Sequence, residues 1–194
     1  MRPGRGYLQA RVQARYGVLP DPVTWRRVEP ARELAAFIEV ARATALAPWV
    51  AGVSASSRTE DMELSLRRLL LEAVDETAGW IGDDWRPALE WTGWLVDLPL
   101  VEHWRRGGPV PAWTCGDSRV QGLCGPHDAR ASPDLAELLE AARDERPLPE
   151  AWLAVWRARW PRTRRGDRTR LRELAELVDD HRRGFARLDP AEAW

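Results

Sequence analysis

Residues 57–80, SRTEDMELSLRRLLLEAVDETAGW, carry the clearest periodicity in the chain. Met62, Leu66, Leu69, Leu70 and Val74 recur at spacings of three and four, which puts them on one face of a helix running from about Thr59 to Trp80. Ser57-Arg58-Thr59-Glu60 has the pattern of a capping box. Glu60, Asp61 and Glu63 follow in the first turn, where the helix dipole favours acids, and Gly82 breaks the run. A long amphipathic helix of this kind predicts a helical framework with these apolar residues as its buried face.

The flanking sequence reads the same way. On the N-terminal side, Tyr7 to Arg15 has helical spacing and stops at Gly17 and Pro20. Asp21-Pro22 is an N-cap followed by a first-turn proline, opening a short helix through Trp25 to Val28. Leu34, Phe37, Ile38 and Ala41 form the buried stripe of the next helix, and Pro48 ends or kinks the stretch after it. On the C-terminal side, a helix is expected from Asp84 to about Val96, interrupted beyond by Pro99. Further helices start at Ser132-Pro133-Asp134 and at Pro149, and a charged one comes after Pro161–Asp167. Period-2 alternation is scarce, so the expected fold is an all-α, irregular multi-helix bundle.

Composition narrows the function. The chain has 194 residues and a net charge of −1, so no overall field draws it to nucleic acid or an acidic membrane. No apolar run approaches the ~18 residues of a membrane helix. The first residues carry arginine without an apolar stretch behind them, so no secretory signal is expected and the cytoplasm is the default location. All 29 basic residues are arginine. Without lysine there is no Walker A phosphate loop, no Schiff-base chemistry and no kinase nucleotide site. There is also no Gly-x-Ser-x-Gly elbow and no Glu-x-x-His di-iron pattern. No pair of groups has catalytic spacing, and an enzyme is not expected.

The first hundred or so residues resemble the collar subunit of rotary V-type ATPases. The resemblance rests on Tyr7, Ala10, Arg11, Ala14 and Arg15 in the opening helix, then on Leu34, Phe37, Thr44 and Trp49. It continues through Glu63, Leu66, Leu69 and Leu70 to an apolar helix ending near Leu100. It implies a helical unit over residues 1–106 and an adaptor's role without catalysis, peripheral to a membrane complex and reaching the membrane only through partners. Family members are considerably longer than this chain, which has room for one such unit and part of a second. Residues 107–131, rich in Gly, Pro and Cys, are expected to be a hinge loop, and residues 132–194 a smaller helical part.

Three constellations could bind something. Trp152, Trp156 and Trp160 recur every four residues in a chain where 12 of 16 aromatics are tryptophan. They read as core filling or as an exposed anchor for a protein partner. Arg162, Arg164, Arg165 and Arg168, continuing to Arg170 and Arg172, form a basic cluster. It is either a solvated helix start or a surface for an acidic protein, a phosphate or RNA. Cys115, Cys124 and His127, with His103 as a fourth ligand, could hold zinc; a disulfide or free thiols are the other readings. His181 beside Asp179 and Asp180 belongs to a polar face, because adjacent helical residues do not face each other. The expectation is a non-catalytic adaptor that binds a protein partner through its Trp and Arg surfaces. A small metal-binding regulator and an RNA- or phosphate-binding module are the alternatives.

Overall fold

The computed structural model describes residues 5–125, 131–144 and 146–161, and helical positions 169, 172, 173, 175 and 176. The described residues are all-helical, without a strand, in an irregular multi-helix arrangement. The helices are α1 (Arg5–Gly17), α2 (Pro22–Val28), α3 (Leu34–Arg42), α4 (Ala47–Val50), α5 (Thr59–Trp80), α6 (Arg86–Trp91), α7 (Leu98–Arg105), α8 (Pro133–Ala141) and α9 (Leu148–Ala158). Short 3-10 turns occupy Thr92–Val96, Ala112–Gly116 and Gln121–Cys124.

Local chemistry explains most boundaries. Asp21 accepts a hydrogen bond from the Thr24 amide at 2.6 Å and caps α2, with Pro22 in its first turn. That bond lowers the Asp21 pKa. Ser132 caps α8 through the Leu135 amide at 3.3 Å. Pro99 sits in the first turn of α7, so it opens that helix where the sequence suggested an interruption. The capping box expected at α5 does not form. Arg58 is the N-cap, and Ser57 instead accepts a hydrogen bond from the Ser54 amide at 2.9 Å, closing the preceding loop on itself.

Two cores are present among the described residues. The smaller joins Val28, Ala41, Leu46 and Val50, with Phe37, Val40 and Trp49 packed against them. The larger gathers Trp91, Trp94, Leu98, Val101, Val120, Leu123, Leu135, Leu138, Leu148, Trp152 and Trp156. It draws on residues from both sides of position 106 and from the 107–125 segment itself. The region expected to be a hinge contributes to that core, with Thr114, Val120 and Leu123 all buried. A loop rich in Gly and Pro reads as a hinge until its few apolar side chains find a common interior.

Helix α5 packs on α6 and on the Thr92–Val96 turn, and the face its spacing suggested is only partly covered: Met62, Leu69 and Val74 are half-buried. Leu71 lies so close to Gly93 that a Cβ there would sit 3.0 Å from its methyl group. Arg67, on the same side, bonds Asp97. Leu66 and Leu70 stay exposed. Helix α5 carries two apolar stripes, and the one over Leu66, Leu69 and Leu70 is not consumed by this core.

Candidate partner-binding groove

The unused stripe of α5 floors a groove of about 790 Å³. Leu69, Leu70, Ala73 and Thr77 form the floor, spaced as one helical face. Val12, Tyr16 and Leu19 form one wall, and Thr44, Pro48 and Trp49 the other. The Thr77 hydroxyl donates to the Ala73 carbonyl at 2.7 Å, which leaves the floor effectively apolar. On the far wall, Thr44 donates to the Ala41 carbonyl at 2.8 Å and accepts from the Leu46 amide at 3.2 Å, fixing the turn between α3 and α4.

Two arginines tie helix α1 to α5. Arg11 lies 4.3 Å from the centre of the Trp80 ring and pairs with Glu76 at 3.5 Å; Arg15 pairs with the same carboxylate. Its apolar side chains gain little cover: Val12 is 47% exposed and Tyr16 76%. Of the exposed large apolar residues among the described positions, all but Leu95 fall between Tyr7 and Leu70. Single exposed apolar residues need no explanation, whereas a concave group of them marks an interaction site.

The tryptophan stripe has a different fate. Trp152 and Trp156 are buried and Trp160 is half-buried, so the anchor surface expected of them does not exist. The indole N–H groups of Trp152 and Trp156 explain their burial. Trp152 donates to the Trp91 carbonyl at 3.2 Å and Trp156 to the Ala88 carbonyl at 2.9 Å, which satisfies the polar edge of each ring within the core. Arginine closes this layer from outside: Arg159 lies 4.1 Å from the Trp91 ring centre and bonds Asp134 and Glu137. Burial works against the charge of Arg159, yet the two acids hold its pKa above the ordinary value.

A second arginine arrangement lies inside. Asp97 is buried between Arg67 at 2.5 Å and Arg119 at 3.2 Å, and Arg67 also pairs with Glu63 at 2.8 Å. Arg67 covers the Trp113 ring and Arg119 the Trp94 ring. Burial pushes the Asp97 carboxyl above the ordinary aspartate range, and the two arginines only partly reverse this. Every acid here has a guanidinium on it, as a structural ion network does.

The metal reading loses its thiolates. Cys115 and Cys124 are joined in a disulfide with 5.5 Å between their Cα atoms, so neither sulfur is free to ligate zinc. The His103 ring packs against Gly108, leaving no room for a Cβ there. His127, Arg162, Arg164, Arg165, Arg168, Arg170 and His181 lie outside the described residues. Among the described residues, no group of three or more His, Cys, Asp or Glu is placed to hold a metal. No helix among them is long and apolar enough to cross a membrane.

Sequence reasoning missed the groove, although it had singled out some of its lining. Arg15, Thr44, Trp49, Leu69 and Leu70, each singled out in the sequence, all line it. No protein family, no curated protein and no solved structure matches this chain.

Proposed function

We propose that this chain is a non-catalytic adaptor that holds an amphipathic helix of a protein partner in the groove between α1, α5 and the α3–α4 turn. The observation that carries the reading is the long apolar face of α5, left open with Leu70 exposed at its centre and walled on both sides by further apolar side chains. A helix-lined trough receives a helix best, because i, i+3 and i+4 anchors match its ridges. Arg15 and Glu76 on the rim pair with each other, which leaves Glu72 to bias the charge of the guest. Glu72 lines the groove, and its own pair with Arg68 is 3.7 Å long between two well-exposed side chains, so it is open to a better partner. The fitting guest is a helix with an apolar stripe flanked by arginine or lysine. The collar-subunit resemblance of residues 1–106 supports the same class of role, since those subunits are adaptors.

Binding of two model helical peptides tests this, one of leucine and lysine and one of leucine and glutamate, read by fluorescence anisotropy on the full chain. The Leu/Lys peptide should bind more tightly, and Leu70→Asp should weaken it about tenfold by placing a charge in the apolar floor, with melting unchanged. Equal binding to wild type and variant would sink the proposal. So would a wild-type dimer that Leu70→Asp turns into monomers, since the occupant would then be a second copy of the chain.

A further inference from the structure

We propose that Cys115 and Cys124 form a reversible thiol–disulfide exchange site that takes low-molecular-weight thiols and controls the hold of the 112–125 segment on the larger core. The two sulfurs differ in access: Cys115 is exposed, while Cys124 is half-buried beside the Thr114 hydroxyl at 3.0 Å. An incoming thiolate can therefore reach the Cys115 sulfur. Its attack breaks the Cys115–Cys124 bond, forms a mixed disulfide at Cys115 and releases Cys124 as a thiolate, which takes up a proton. A second small-molecule thiolate attacks the mixed disulfide, frees Cys115 and leaves as the oxidised dimer. One protein disulfide and two thiols thus become one protein dithiol and one small disulfide.

The reduced state has a place prepared for it. Thr114 gives its hydroxyl proton to the Pro111 carbonyl at 2.5 Å, so its oxygen is free to accept from the new Cys124 S–H. A reduced Cys124 would thus find an acceptor where its sulfur already lies, 3.0 Å from the Thr114 hydroxyl.

The closed loop carries three residues that tie it to the core. Between the two cysteines lie Arg119, which bonds buried Asp97, and Val120 and Leu123, which fill the core. Opening the bond frees the loop ends in the unfolded chain and lowers the cost of lifting these three residues away. This site is separate from the groove, and its test does not depend on the adaptor reading.

The full chain should be equilibrated in glutathione buffers of varied ratio and read by alkylation mass shift, thermal melting and trypsin cleavage after Arg119. The pair should convert reversibly. Reduction should lower the melting temperature by roughly 5–10 °C and speed the Arg119 cut about tenfold. Cys115→Ser/Cys124→Ser should melt like the reduced protein and ignore the buffer. A pair that stays oxidised in reduced glutathione would overturn the proposal. So would one that reduces while melting and cleavage stay unchanged.

Discussion

The indole N–H of Trp91 donates to the Trp152 carbonyl at 3.1 Å, and the Trp152 indole returns the bond to the Trp91 carbonyl at 3.2 Å. The pair locks α6 to α9 across 61 positions of sequence. It converts two residues with a polar edge into satisfied core. Trp152→Phe keeps an aromatic ring but strips one donor, and should cost about 2 kcal/mol in chemical denaturation. Trp152→Ala should cost about 3–5 kcal/mol. If either variant instead left stability intact, the stripe would not be core.

Two glycines should respond in opposite directions. A Cβ on Gly122 would lie 2.6 Å from the Ala131 Cα, a backbone atom that cannot swing aside. Gly122→Ala should therefore destabilise by about 1–3 kcal/mol. Gly79, exposed on α5, has nothing within 4 Å of its Cβ position. Gly79→Ala should stabilise by about 0.5–1 kcal/mol through helix propensity. Paired denaturation curves decide both signs.

Asp97 gives a pH test. Its carboxyl is raised in the folded state, chiefly by burial, so the folded chain holds that proton more tightly than the unfolded one. Stability from this group is then greatest below the ordinary aspartate range and falls as pH rises through the raised value. The stability of wild type minus that of Asp97→Asn should drift against the wild type over that interval, since the other carboxylates cancel. A drift in favour of the wild type would mean that Arg67 and Arg119 outweigh burial.

Helix α1 should loosen without the fold loosening. Thirteen residues are too few for a stable isolated helix, and the ties to Glu76 are half-exposed ion pairs. Glu76→Gln should raise amide exchange across Arg5–Gly17 while shifting the melting temperature by less than about 2 °C. Unchanged exchange would show that apolar contacts hold α1.

The helices were legible because their signals are local. Asp21-Pro22 and Ser132-Pro133 name their own helix starts, and the spacing within residues 59–80 names a helix whatever it packs against. The groove was not legible, because each of its walls reads as an ordinary amphipathic face. Leu70 and Leu71 are equally good core residues in sequence, and only the approach of Gly93 to Leu71 decides which one faces inward. Trp152 posed the same ambiguity, and no local pattern shows that the Trp91 carbonyl is waiting for its N–H.

By itself, the sequence determined that this is an all-α chain, where most of its helices begin and end, and which chemistries a lysine-free protein lacks. Those properties follow from propensity, capping and residue identity, which act over a few neighbouring positions. Tertiary structure alone decided that the tryptophan stripe is core, that Cys115 meets Cys124, that Val120 and Leu123 join the larger core, and that one stripe of α5 stays open. Each of these depends on which surfaces meet across many residues, and burial rewards apolar area without regard to which amphipathic face supplies it.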